Sequence, residues 1–262
     1  MLKKCFLILT SLSLITMVTF TTIVQEDLKL LKEQTFTVQS GGNLTVKAPA
    51  GNIKIISWDK SEANVKIYGN ENVEGNIDFE VTQTGNDISV IGKAKDESKQ
   101  SNLKAKFEII LPKQFNVEAN TKGGNIDIND INGKIKVNTM GGNISLDKTE
   151  GEIDANTMGG NIGITTTNGK VSANTMGGNI SLDYAGTNKG IDLNTMGGNI
   201  HAKLPADING EADFSTSAGK ITCDFAKPEK SYASSSLKAK FNDGGEAISI
   251  NTSAGNINVE KK

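Results

Sequence analysis

The sequence predicts an all-β protein: a parallel β-solenoid with 18-residue coils of two short strands each, preceded by a β-rich N-terminal portion. Three observations carry this. The heptapeptide NTMGGNI occurs four times, at residues 138–144, 156–162, 174–180 and 194–200. The second glycine of each GGN falls at Gly124, Gly142, Gly160, Gly178 and Gly198, spacings of 18, 18, 18 and 20. Gly133, Gly151 and Gly169 split the units into halves of nine, in which apolar and polar residues alternate with the period of a half-buried strand and leave no room for a helix.

An antiparallel meander could use the same unit, with one hairpin per repeat. A single sheet of a dozen or more strands would then have to close into a wide barrel or expose an apolar face. A flattened coil instead buries the inward Ile, Leu and Val of both strands against each other, and Ala155 and Ala173 suit a narrow core. Stacking also pairs charges. Lys134, Glu152 and Lys170 become neighbours, as do Lys136, Asp154, Ser172 and Asp192, with each opposite pair contributing about 0.2 to 1 kcal/mol.

Along the chain, Lys3 and Lys4 precede an apolar run from Cys5 to Val24, which reads as an export segment. It lacks an A-x-A cleavage triplet and is long enough to span a bilayer, so removal and retention as an anchor both stay open. Residues 25–35 read as a short linker and 36–259 as one elongated domain. Gly42–Val46, Gly51–Ile55, Lys106–Leu111 and Phe115–Val117 are strands of its N-terminal portion, and Asp96–Ser101 is an exposed loop. Regular coils run over about 120–225. Degraded copies, NTKGGNI at 120–126, STSAGKI at 215–221 and NTSAGNI at 251–257, mark the ends, as capping repeats do. Residues 226–245 form an irregular excursion with an extra strand over Leu237–Phe241.

Composition narrows function by exclusion. All 28 basic residues are Lys, balanced by 30 acidic ones to a net charge of -2. Without arginine forks, a basic stripe or an aromatic set for stacking, no nucleic-acid partner is expected. The single histidine, His201, points outward by alternation, so zinc sites and histidine-based triads lack their parts. Cys223 alternates inward with Ile221, and once the export segment is removed no second thiol remains for a disulfide. Trp58 reads as a packing anchor.

GGN suggests the nine-residue calcium repeat G-G-x-G-x-D-x-U-x. In residues 141–149 the second loop glycine is replaced by Ile144 and the ligand Asp by Leu146, so a hard cation finds no carboxylate there. No metal or other cofactor is expected. The glycines and asparagines read instead as corner chemistry, and Asn138, Asn156, Asn174 and Asn194 as a stacked amide ladder. Met140, Met158, Met176 and Met196 stand apart. Flanking units place Lys122, Ser217 and Ser253 at the same position, so the site is not deep core. The four form a semi-exposed apolar strip about 15 to 20 Å long, open to two readings: corner packing, or contact with a partner or membrane.

The ordered series of export segment, Trp58-Asp59 after Gly51–Ile55, F-x-I-x-L-P at 107–112, Phe115-Asn116-Val117 and serial N-T-x-G-G-N-I coils resembles the bacterial putative-adhesin family, domain of unknown function 4097. The resemblance covers roughly 36–259. It implies an exported β-strand-repeat protein of solenoid type, often attached to the bacterial envelope, and brings no catalytic residues. Methionine stands here where such repeats more often carry Ser or Thr.

The expected function is therefore a non-catalytic adhesion, envelope-interaction or scaffold module in the periplasm, at the cell surface or outside the cell. Its expected partner is an envelope, surface or protein component, and residues 1–24 offer membrane association. Two alternatives stay open: a β-helical polysaccharide-active enzyme, and an envelope-stress accessory protein that binds a membrane or a regulator. The sequence leaves the oligomeric state open.

Overall fold

A computed structural model describes residues 28–96, 102–225 and 235–262. The expected export segment, most of the loop expected at 96–101 and the first part of the excursion lie outside the described residues.

Two 11-stranded sheets face each other across one apolar core. In the regular middle, strands of the first sheet are β9 (Ile126–Asn129), β11 (Ile144–Glu150), β13 (Ile162–Thr167), β15 (Ile180–Ala185) and β17 (Ile200–Leu204). Those of the second are β8 (Phe115–Thr121), β10 (Ile135–Thr139), β12 (Ile153–Thr157), β14 (Val171–Thr175) and β16 (Ile191–Thr195). All these pairings are parallel and one coil apart, Asn138 beside Asn156 beside Asn174 beside Asn194. The parallel register selects the solenoid over the meander.

Inward rows explain the stacking. Ile126, Ile144, Ile162, Ile180 and Ile200 line one sheet; Ile135, Ile153, Val171 and Ile191 line the other, and all are buried. Each such side chain contributes about 1.5–3 kcal/mol on burial. The next inward position holds Ala155, Ala173 and Leu193 in the second sheet and Ile164, Leu182 and Ala202 in the first, all buried.

The coil order departs from the chain order at both ends. Toward the N-terminus, β2 (Gly42–Ala48) lies between β8 and β6 (Asp87–Ala94), and β3 (Asn52–Trp58) between β9 and β7 (Ala105–Pro112). Toward the C-terminus, β21 (Ala247–Ala254) lies between β16 and β18 (Gly210–Ala218), and β22 (Ile257–Lys261) between β17 and β19 (Ile221–Cys223). NTSAGNI therefore belongs to an interior coil, not to the end cap that sequence order suggests. Both C-terminal degraded copies keep the inward Ile, the ladder Asn or Ser and the second glycine, Gly219 or Gly255, against which the neighbouring coil packs.

Antiparallel strands close three of the four sheet ends, and the fourth edge is β19, parallel to β22. β4 (Glu62–Gly69) pairs β7, and β1 (Lys29–Thr37) pairs β4. β5 (Ile77–Thr84) pairs β6, and β20 (Ser236–Phe241) pairs β18. The linker expected over 25–35 is thus corrected: from Lys29 onward it is an edge strand, because Leu31 and Phe36 pack against the core. One helix interrupts the β pattern, α1 (Glu71–Asn76), capped by Asn70, whose Oδ1 accepts from Val73 N at 3.1 Å. None of the described helices is long and apolar enough to cross a membrane.

Candidate functional site

Each NTMGGN corner is built by three hydrogen-bond rows. Thr157 Oγ1 donates to Gly142 O at 2.9 Å, and Gly160 N donates back to Thr157 Oγ1 at 3.3 Å, so the buried threonine ties its own corner to the coil before it. Asn161 N donates to Asn143 Oδ1 at 2.8 Å, and the same bond recurs at Asn179 and Asn199. On the outer face of the second sheet Asn138, Asn156, Asn174, Asn194 and Asn251 form the expected ladder, each Nδ2 donating to the preceding Oδ1 at 2.7–3.1 Å.

The two corner glycines have different reasons to be there. A Cβ on Gly160 would lie 1.9 Å from Gly142 O, so the second glycine is required by the close approach of successive coils. A Cβ on Gly141 would meet nothing within 4 Å, and on Gly159 or Gly177 only a carbonyl oxygen at 3.8 or 3.9 Å. The first glycine is not needed for packing, and Ala254 and Ala218 occupy its place in two coils.

The structure places Met140, Met158, Met176 and Met196 on consecutive corners at 52%, 48%, 49% and 57% exposure. Register puts Lys122 beyond Met140, and Ser253 then Ser217 beyond Met196. Beside the methionines runs the row of uncovered glycines, Gly141, Gly159, Gly177 and Gly197, and beyond it the exposed Asn143, Asn161, Asn179 and Asn199. The result is a shallow trough, methionine on one side and asparagine on the other with glycine between them, with no charged side chain along its four central coils. Corner backbone groups pair from coil to coil: Gly159 N to Met140 O, Gly177 N to Met158 O, Gly197 N to Met176 O and Ala254 N to Met196 O.

Beside Lys122, the corner position next beyond Met140, lies a groove of about 660 Å³ lined by Lys47, Pro49, Lys93, Glu118, Asn120 and Lys122, among others. Lys93 pairs with Glu80 at 2.9 Å, and Glu118 accepts from Asn120 Nδ2 at 3.1 Å. Neither Lys47 nor Lys122 has an ion-pair partner among the described residues. Sequence reading singled out Lys122 as a methionine equivalent but missed Lys47 and Lys93, since only the inserted first coil brings them beside it.

The other singled-out residues lie apart. His201 is half-buried on the outer face of the first sheet, its Nδ1 3.2 Å from Asn258 Nδ2 and its Nε2 3.5 Å from Glu260. An amide donating to Nδ1 leaves the neutral ring's proton on Nε2, facing Glu260. Cys223 is buried. Trp58 donates its Nε1 hydrogen to Glu62 O at 2.7 Å and carries Lys60 over its ring. Ile144 and Leu146, at the calcium-repeat positions, are both buried. Charges pair along the ladders, as Lys134 does with Glu152 at 3.2 Å. Lys113 and Ser57 hydrogen-bond Asp130 and hold its carboxyl below the usual range, with the Lys113 contact the stronger cause. Among the described residues no three His, Cys, Asp or Glu converge as a metal site would need.

A family model described as Toastrack DUF4097 matches residues 22–260. No curated protein matches the chain. Among solved structures, a putative cell adhesion protein from Clostridium sporogenes aligns over 89% of this chain and 100% of its own, at 15% identity and TM-score 0.40. A putative lipid binding protein from Parabacteroides distasonis aligns over 87% and 96%, at 14% identity and TM-score 0.41. A putative adhesin from Parabacteroides merdae aligns over 89% and 96%, at 13% identity and TM-score 0.35.

Proposed function

This chain belongs to the Toastrack family DUF4097, and from that premise we propose that it is a non-catalytic, exported adhesion or scaffold module whose contact surface is the Met-Gly corner. The observation that carries this reading is the exposure of four stacked methionines at a position where the fold accepts Lys122, Ser217 and Ser253. Exposed apolar side chains cost solubility, and a contiguous row of them marks contact surfaces more often than isolated ones do. Methionine suits such a role because its flexible thioether adapts to a partner's shape. The solenoid supplies rigidity: hydrogen bonds from coil to coil fix the strip's spacing at about 4.8 Å per coil.

Export follows from the apolar run after Lys3 and Lys4, and the reading locates the folded body at the envelope or outside the cell. The test is capture from the native envelope, followed by mass spectrometry, with a variant carrying Ser at all four methionine positions as control. The proposal expects components captured by the native chain and lost with the variant. Identical capture by both, with equal thermal stability, would remove the corner as the contact surface.

A further inference from the structure

We propose that the trough holds the acyl chain of a single-chain anionic amphiphile, with its headgroup in the lysine-lined groove at the Lys122 end. The inference rests on the reading of the corner as a contact surface and assigns its occupant.

Three features select this chemistry. The first is the floor. Gly141, Gly159, Gly177 and Gly197 are uncovered although nothing in the packing excludes a side chain, and wherever Ser replaces Met, in Ser253-Ala254 and Ser217-Ala218, Ala replaces the glycine. Open floor accompanies methionine in four coils and continues one coil further, at Gly123 beside Lys122, but is filled by Ala in both serine coils. The second is backbone pairing. Corner N–H and C=O groups already bond from coil to coil, so an extended peptide laid there would leave its own polar backbone without partners, whereas an alkyl chain has none to satisfy. The third is polarity. The strip ends at Lys122, beside Lys47 and the Lys93–Glu80 pair, but at uncharged Ser253 and Ser217 on the other side, where Lys220 stands only in the asparagine row of the second coil beyond Met196. Two unpaired ammonium groups face one carboxylate, Glu118, and favour an anionic head at that end.

Length agrees as well. Four coils at about 4.8 Å span about 15 Å, the reach of a medium-length alkyl chain, too short and narrow to bury the roughly 800 Å² per partner that a stable dimer needs.

The experiment is calorimetric titration of the full chain with dodecanoate below its micellar concentration. Dodecyl maltoside serves as a neutral-head probe and phosphatidylglycerol vesicles as a bilayer. The proposal expects one dodecanoate per chain. It also expects at least a roughly tenfold weaker affinity for the fourfold Met→Ser variant and for Gly159→Leu/Gly177→Leu, which fills the floor. Lys47→Gln/Lys122→Gln should weaken dodecanoate binding but leave the maltoside unchanged. Circular dichroism melts check that each variant folds; the serine variant copies residues two native corners already carry. Absence of dodecanoate binding, binding unmoved by any variant, binding to vesicles alone, or a methionine-dependent dimer in sedimentation would each overturn it. If dodecanoate fails while envelope capture stays methionine-dependent, the occupant is wrong and the contact surface stands; if both fail, the contact surface falls too.

Discussion

Asn251 donates its Nδ2 hydrogen to Asn194 Oδ1 at 3.1 Å across 57 residues of sequence, whereas Asn156 makes the same bond to Asn138 across 18. The ladder is continuous in space and discontinuous in the chain. The last coil is therefore held on both sides, by β16 and β17 on one flank and by β18 and β19 on the other.

This threading alters how the C-terminus opens. In a sequentially wound solenoid the terminal coil frays first. Here the amides of Ile250 and Ile257 should exchange as slowly as that of Leu193, measured by hydrogen exchange with mass spectrometry. Deleting residues 247–262 should abolish the cooperative unfolding transition rather than trim it.

The two corner glycines should respond oppositely. Gly160→Ala drives a Cβ into Gly142 O and should cost about 1–3 kcal/mol or more, as overpacking does. Gly159→Ala meets only ordinary contact and should leave stability within about 0.5 kcal/mol, or raise it by restricting the unfolded chain. Urea denaturation of the two single variants reads both.

Asn156 donates to Asn138 and Asp154 and accepts from Asn174. Asn156→Ala should cost about 1–3 kcal/mol by leaving half-buried partners unsatisfied on both sides. Asn156→Ser, the residue that the Ser215 coil uses against Asn251, should recover part of it.

Asp130 supplies an acid response. Lys113 and Ser57 depress its folded-state pKa, so its contribution to stability is present above the unfolded carboxylate pKa of about 4 and is lost as pH falls through the lower folded value. Asp130→Asn keeps a residue that tolerates the positive φ of 59° and should flatten this part of the acid-unfolding curve. Lys113→Ala should move the same limb toward higher pH. Chemical denaturation from pH 2 to 6 distinguishes these outcomes.

Much of the molecule was legible in the repeats because period, alternation and corner chemistry are local. Ile144 and Leu146 alternate inward, Asn138 and Asn156 differ by one coil, and the variants at Lys122, Ser217 and Ser253 already say that the fold does not need methionine. The strand in β1 escaped because its mixed pattern, with Leu31 and Phe36 inward but Leu30 exposed, carries no clean period. The lysine-lined groove escaped because Lys47, Lys93 and Lys122 are far apart in the chain.

By itself, then, the sequence determined the coil: its length, its inward rows, its corner and the composition of the methionine strip, all consequences of what one 18-residue unit must do to stack on a copy of itself. Only the tertiary structure decided which coil stacks on which. Every coil offers nearly the same inward Ile and ladder Asn, so local pattern cannot rank its possible neighbours. In the structure the end strands β1, β4, β5 and β20 pair antiparallel at three of the four sheet ends, and the first and last coils take interior places.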